Sequence, residues 1–260
     1  MKKPISLKKT SGLPISFSDG NLIHTKEVAF EPVQARKIEE LRGYLKDKNS
    51  PSKISAVYLM FRDIRRTKDE RIFRKNRLRY DITAIFPYLF GKEFSKTIGH
   101  NHQPIKGMEA PEIYEVLSGK ALFIFQNIKK KEVYLIEAKQ GEKVIVPPDC
   151  GHATVNPTGK VLIIANIFAD NIKSDYKFFK QRKGAAIYAL KEKTGIFIEK
   201  NPSYKEKINV KIGSSKKLES FNISNKPMYE LFAKNPEKFE FLTNPDKYKQ
   251  KLKPENLFQF

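Results

Sequence analysis

The stretch TIGHNHQPIKGMEAPEIYEVLSGK, residues 97–120, combines two closely spaced histidines with an apolar segment that begins on a carboxylate. His100 and His102 are two positions apart, so in a β-strand both side chains lie on one face. Glu112 opens the next apolar segment, after a loop that contains two prolines. Imidazole and carboxylate together suit a divalent metal such as Fe(II), Mn(II), Ni(II) or Zn(II). The stretch therefore predicts a metal site on the inner face of a β-sheet.

A second stretch, GEKVIVPPDCGHATVN at residues 141–156, supplies a third histidine, His152, at the start of another apolar segment. The two stretches resemble the two cupin motifs, which read His-x-His, Glu, Gly and then Gly, Pro, His, Asn. This resemblance implies a cupin barrel with one metal ion, and the residues that match the ligand positions are His100, His102, Glu112 and His152.

The gap between His102 and Glu112 is longer than the common cupin spacing. Glu109, which lies within this gap, is the alternative carboxylate ligand. We prefer Glu112, because it begins a strand whereas Glu109 is flanked by loop residues.

The remaining sequence predicts a mostly β chain with irregular or helical extensions. Apolar spacing over 33–48 predicts a helix, and the run 54–62 predicts a buried strand. Between 80 and 168, short apolar runs recur every 8–12 residues, as in an antiparallel sandwich or jelly-roll barrel (a double-stranded β-helix). We divide the chain into an N-terminal arm and helix packed on the barrel (1–55), the cupin barrel (56–200) and a C-terminal extension (201–260).

Composition excludes several classes of protein. The net charge of +21 raises the question of nucleic-acid binding, but the lysines are spread over the chain and form no basic stripe with interleaved aromatics. Nucleic acid is therefore not the expected partner. No apolar run reaches the roughly 18 residues of a membrane span, and no secretory signal is recognisable at the N-terminus. The single cysteine, Cys150, fits a cytoplasmic protein.

A closer resemblance covers about residues 58–190. The sequence is similar to the archaeal-type cupin glucose-6-phosphate isomerases, which act in glycolysis and gluconeogenesis. The segments that carry the resemblance are DIT (81–83), GKEF (91–94), KTIGHNH (96–102), PEIYEVLSG (111–119), Gln126, VPP (146–148), GHATVN (151–156) and DY (175–176).

This resemblance implies a homodimeric, metal-dependent aldose–ketose isomerase. It implies one divalent metal ion per subunit, with Fe(II) expected. The phosphate of the substrate would be bound by Thr83, Thr97 and the backbone at Gly99. The sugar would contact Tyr114, the second expected catalytic residue, which could orient the sugar or pass a proton. Glu112 would carry a proton between C1 and C2, although a hydride shift under metal polarisation stays open.

Two positions depart from the family pattern. Phe168 aligns where relatives often have a tyrosine, and Ser174 where many have a histidine. Phe168 cannot donate a hydrogen bond, so phosphate affinity or the choice of substrate would change. Two alternatives follow: another cupin metalloenzyme, such as an Fe(II) dioxygenase, or a cupin that binds a sugar phosphate without turning it over.

Overall fold

The apolar runs predicted as strands between residues 81 and 168 form most of the β-structure in the computed structural model, which describes residues 3–51 and 54–260. The strands before residue 78 are β1 (Ile5–Ser6), β2 (Ile15–Ser18), β3 (Asn21–His24), β4 (Val28–Ala29), β5 (Gln34–Arg36), β6 (Tyr58–Phe61) and β7 (Arg65–Arg66). The central strands are β8 (Leu78–Ile85), β9 (Leu89–Phe90), β10 (Glu93–Phe94), β11 (Asn101–His102), β12 (Pro104–Ile105), β13 (Met108–Glu109), β14 (Glu112–Ser118), β15 (Lys120–Asn127), β16 (Glu132–Lys139), β17 (Lys143–Val146), β18 (Gly151–Val155) and β19 (Leu162–Ala169).

The last strands are β20 (Ser174–Asp175), β21 (Ile187–Glu192), β22 (Gly195–Lys200), β23 (Asn209–Ser215) and β24 (Phe258–Gln259). The α-helices are short: α1 (Lys8–Ser11), α2 (Ile38–Leu41), α3 (Glu70–Asn76), α4 (Lys177–Gln181), α5 (Met228–Lys234) and α6 (Pro254–Leu257). Further 3-10 turns cover Arg42–Tyr44, Thr67–Asp69, Glu219–Phe221, Pro236–Leu242 and Pro245–Tyr248. Among the described residues, none of the helices has the length and apolar character needed to cross a membrane.

Two facing sheets form the core. The first sheet has the strand order β17-β14-β19-β8-β6-β5, and the second has the order β18-β15-β16-β23-β24. Their inner faces meet where the Tyr114 ring on β14 packs against Phe123 on β15, with ring centroids 5.3 Å apart. The mostly β, cupin-type prediction is confirmed. Over the described residues, however, the backbone ladders divide into separate sheets and do not close into one continuous barrel.

An irregular segment before β11 interrupts the ladder. Lys96 pairs with Val155 and His100 pairs with His152, each as an isolated bridge. From Lys96 to His100 the chain advances four residues, whereas the opposing segment from Val155 to His152 covers only three. One extra residue on one side of a pair is the geometry of a β-bulge. The extra residue shifts the side-chain alternation, so Thr97 and His100 reach the same cavity although their spacing is odd. Strand alternation alone would have separated them.

The prediction of one helix over 33–48 is wrong, because the helical part is much shorter. Gln34–Arg36 form β5, which pairs with β6 through the register Gln34–Met60 to Arg36–Tyr58. Helical structure is confined to α2 and the following 3-10 turn. Backbone pairing with a distant strand therefore overrides the helical spacing of the apolar residues.

Beyond residue 206, β23 and β24 extend the second sheet, and the segment that contains α5 covers the outer face of the first sheet. The Tyr229 ring on α5 lies 5.3 Å from that of Tyr80 on β8. Glu115, on the outer face of β14, accepts a hydrogen bond from the backbone N–H of Met228 and pairs with Lys143, Oε1 to Nζ 2.8 Å. Burial raises the pKa of Glu115 to about 7, partly offset by Lys143. Strand β14 therefore presents Glu112 to the inside of the fold and a buried ion pair to the C-terminal segment.

Candidate metal centre

Four side chains from three strands and one bulge converge between the two sheets. His100 follows the bulge, His102 lies on β11, Glu112 begins β14 and His152 lies on β18. Each offers a ligand atom, and these atoms lie within 4.8 Å of one another. Glu112 Oε2 is 3.1 Å from His152 Nε2 and 3.5 Å from His102 Nε2. The structure thus brings together the four residues predicted as metal ligands.

Burial holds the imidazoles of His100 and His152 in the neutral form that a metal ligand requires. Burial lowers the pKa of His100 well below the usual imidazole value, and His152 and His102 lower it further. Burial lowers the pKa of His152 in the same way, with a further contribution from His102. Neutral imidazole keeps a lone pair on one ring nitrogen, which is the group that binds metals.

Hydrogen bonds at the outer ring nitrogens direct these lone pairs inward. His102 Nδ1 lies 2.9 Å from the carbonyl oxygen of Ala110, and His100 Nδ1 lies 3.4 Å from that of Ile98. A carbonyl only accepts, so Nδ1 carries the proton and Nε2 remains an acceptor. The Nε2 of His102 then faces the carboxylate of Glu112. Both groups are hydrogen-bond acceptors, so their lone pairs repel each other. A cation between them resolves this repulsion, so the donor set fits a divalent metal ion.

Tyr114 is hydrogen-bonded to the cluster. Its hydroxyl donates to Glu112 Oε2 at 3.0 Å and lies 3.2 Å from His152 Nε2. Burial raises the pKa of Tyr114 well above its usual value, and the negative charge of Glu112 raises it further. The phenol therefore stays protonated at neutral pH and acts as a donor.

Glu109 lies outside the cluster. Its carboxylate accepts hydrogen bonds from Asn101 Nδ2 at 3.1 and 3.3 Å. It lines a separate cavity of about 670 Å³ that shares only His102 with the four clustered residues. The larger cavity is therefore not the one that the ligand cluster faces.

A smaller cavity of about 50 Å³ faces the cluster. Thr83 on β8, Thr97 at the bulge and Tyr114 line it; the family resemblance implies that these residues contact the substrate. Gly99 does not line it, and a Cβ added at Gly99 would point at the ring of Phe179. The complete lining is Tyr58, Met60, Arg62, Thr83, Thr97, Ile98, His100, His102, Glu112, Tyr114, Thr154, Ile164, Asn166, Phe168, Ser174 and Tyr176.

Five polar lining residues were not predicted as site residues: Tyr58, Arg62, Thr154, Asn166 and Tyr176. A sequence signal existed for Asn166, which is the polar residue within the apolar run of β19. Arg62 continues the alternation of Tyr58 and Met60 beyond the end of β6. Tyr176 follows β20, and its ring lies 5.3 Å from that of His100.

The two departures from the family pattern both lie in this cavity. The Phe168 ring stacks on His102 with centroids 5.8 Å apart and an interplanar angle of 9°. Ser174 on β20 is the backbone partner of His102 on β11. Both residues therefore contact the segment that carries a predicted metal ligand.

Two facing sheets with three histidines and a glutamate on their inner surface define a cupin with a candidate metal centre. A family model described as glucose-6-phosphate isomerase matches residues 35–206, and the chain belongs to that family. Among curated relatives, the glucose-6-phosphate isomerase of Thermococcus gammatolerans is 27% identical over 197 residues, covering 76% of this chain and 97% of the relative. That of Thermococcus litoralis is 25% identical over 203 residues, covering 76% and 98%.

Solved structures with a similar fold are more distant. A 7S globulin of Momordica charantia has a TM-score of 0.38 and 15% identity, and the match covers 58% of this chain and 37% of that one. Oxalate decarboxylase of Bacillus subtilis has a TM-score of 0.35 and 18% identity, covering 48% and 28%. The shared part is less than two fifths of either neighbour.

Proposed function

We propose that the chain interconverts glucose 6-phosphate and fructose 6-phosphate with the help of a divalent metal ion. The main support is that the chain belongs to the glucose-6-phosphate isomerase family and that its four-ligand cluster faces a cavity lined by Thr83, Thr97 and Tyr114. Hydroxyl donors beside a metal-ligand set suit a ligand that carries both a phosphate and sugar hydroxyls.

His100, His102, Glu112 and His152 would hold the metal, and Fe(II) is the proposed ion, with Mn(II), Ni(II) or Zn(II) as alternatives. A bound divalent ion would supply Lewis acidity to the oxygens on C1 and C2 of the open-chain sugar.

Glu112 is the proposed group that moves the proton. It would take the proton from C2 of the aldose, which gives the enediolate, and return it to C1, while the hydroxyl proton on O2 passes to O1, so that no external acid or base is consumed. Tyr114 donates to the same carboxylate oxygen and would orient it toward the sugar. If hydrogen instead moves as a hydride, the product formed in D₂O carries no solvent deuterium at C1.

Thr83 and Thr97 are the proposed phosphate contacts; the backbone of Gly99, which the family resemblance also implies, does not line the cavity. The Thr97 hydroxyl already accepts a hydrogen bond from the N–H of Thr154 at 2.9 Å, which leaves its proton available to a phosphate oxygen. A hexose phosphate is larger than the 50 Å³ cavity. Substrate binding therefore requires part of the lining to move outward, and we propose Tyr176, which follows β20, as the part that moves.

The proposal also covers the oligomeric state, the cellular compartment and the binding partner. We propose a homodimer in the cytoplasm, on the basis of the family resemblance and of a single cysteine that needs no oxidising compartment. The partner is a small sugar phosphate and not a nucleic acid.

A coupled assay tests the activity. Purified protein loaded with Fe(II) or Mn(II) should convert fructose 6-phosphate to glucose 6-phosphate, and chelation or Glu112→Ala should abolish turnover. Oxygen uptake with a candidate substrate would favour the Fe(II) dioxygenase instead. Binding of fructose 6-phosphate without turnover would favour a non-catalytic cupin.

A further inference from the structure

Three charged side chains form a compact group at the wall of the site cavity. Asp81 on β8 has no solvent exposure, and its Oδ2 pairs with Arg62 Nη1 at 2.7 Å. Arg79 Nε pairs with Asp81 Oδ1 at 3.0 Å. Two guanidinium groups thus share one carboxylate, and the group carries one surplus positive charge.

The two arginines occupy different positions relative to the cavity. Arg79 lies over the face of the Phe168 ring, with its guanidinium carbon 4.8 Å from the ring centroid. Arg62 lines the cavity together with Thr83 and Thr97. Among the described lining residues, Arg62 is the one side chain that carries a permanent positive charge.

A sugar phosphate near neutral pH brings up to two negative charges into this enclosed space. Placing such an anion among neutral hydroxyls would leave its charge poorly compensated. A guanidinium matches phosphate oxygens with paired N–H donors and keeps its charge at all physiological pH values. Arg62 donates from Nη1 to Asp81 and from Nη2 to the sulfur of Met60. A thioether sulfur is a weak acceptor, so a phosphate oxygen can replace it, and the guanidinium keeps N–H groups for an anion.

We propose that Arg62 is the residue that supplies positive charge to the phosphate group of the substrate, and that Asp81 and Arg79 hold it in position. The inference rests on the proposed isomerase function for the identity of the substrate. It makes Arg62 a determinant of specificity, because it distinguishes phosphorylated from unphosphorylated sugars.

The decisive variant is Arg62→Met, which removes the charge and keeps a similar chain length. Asp81 would still be paired with Arg79 and would still accept the N–H of Asp63 at 2.8 Å, so the fold should persist. Arg62→Gln is the second variant, should the apolar side chain not be tolerated. Arg71→Gln is the matched control, since Arg71 is exposed on α3 and the same charge is lost away from the cavity.

Arg62→Met should raise KM for fructose 6-phosphate at least tenfold and weaken competitive inhibition by inorganic phosphate at least tenfold, with a smaller effect on kcat. Arg62→Lys should fall between the wild type and Arg62→Met, and Arg71→Gln should match the wild type. If the wild type turns over and Arg62→Met keeps KM and phosphate inhibition within twofold, the inference fails while the isomerase proposal stands.

If the wild type does not turn over, the isomerase proposal fails and calorimetric titration with inorganic phosphate decides the question of Arg62. Tighter binding by the wild type than by Arg62→Met, by tenfold or more, would support the anion-binding role. Equal binding, or no binding by either protein, would overturn it.

Discussion

Phe179 on α4 is positioned to fix the distance between the two histidine-bearing segments. Its ring is fully buried and packs against Gly99 and Gly151, the residues immediately before His100 and His152. A methyl group on Gly99 would lie 2.9 Å from Cζ of Phe179 and closer still to Cδ1 and Cε1. One on Gly151 would lie 2.6 Å from Cε2. We therefore expect even the smallest side chain at Gly99 to disturb the site.

Gly99→Ala should destabilise the protein by about 1–3 kcal/mol, the range for overpacking a close-packed core. Gly99 does not have a positive φ, so the cost arises from overlap with Phe179 and not from backbone strain. The overlap can be relieved only if the ring or the segment that carries His100 moves. Metal–ligand distances tolerate shifts of about 0.2 Å, so metal affinity should fall by about 10- to 100-fold.

Urea denaturation of the metal-free protein and calorimetric titration with Mn(II) measure the two effects. Gly159→Ala is the matched control, because a Cβ there meets no atom within 4 Å. Phe179→Leu makes room for the methyl group, so combining it with Gly99→Ala should recover part of the loss, with a coupling energy of about 0.5–3 kcal/mol. If Gly99→Ala matches Gly159→Ala in stability and in metal affinity, the positioning role of Phe179 is refuted.

Two further predictions concern stability. Glu115→Ala leaves Lys143 buried without its counter-charge and removes the acceptor for the N–H of Met228. Urea denaturation should therefore show that the free energy of unfolding falls by about 3–5 kcal/mol. A fall of less than about 1 kcal/mol would contradict this account. Because the folded state lowers the pKa of His152, the unfolded chain binds more protons below pH 6.5 and stability falls as the pH falls. As the pH falls from 6.5 to 5, the free energy of unfolding of metal-free His152→Asn should decrease less steeply than that of the metal-free wild type, by up to about 1.4 kcal/mol per pH unit. Equal pH dependence of the two proteins would show that the titration of His152 does not contribute to stability.

Much of the fold follows from local sequence patterns. Alternation in β14 puts Glu112 and Tyr114 on one face, and both side chains line the cavity, whereas Thr83 was indicated only by the family resemblance. The His-x-His pair and the later histidine also converge as their cupin spacing predicts. The face shared by Glu112 and Tyr114 depends on a period of two residues within one strand, which is visible without knowledge of the partner strand. The convergence of His152 with His100 and His102 was implied by the resemblance to the cupin motifs.

Features that depend on a distant partner could not be predicted. Gln34–Arg36 are extended because β6 pairs with them, although the surrounding spacing is helical. Thr97 reaches the cavity through a bulge that is defined only by the pairing with Val155 and His152. Arg62 enters the site because Asp81, 19 residues later, holds it there.

The segment after residue 206 lies beyond the family match, yet it protects the part that is matched. Strand β23 runs parallel to β16 and occupies its outer edge, and Tyr229 covers Tyr80. Without this segment, β16 would expose a row of unpaired backbone groups beside newly exposed aromatic rings. Such an edge is a template for intermolecular strand pairing. A chain shortened to the family boundary should therefore aggregate before it loses its ligand cluster.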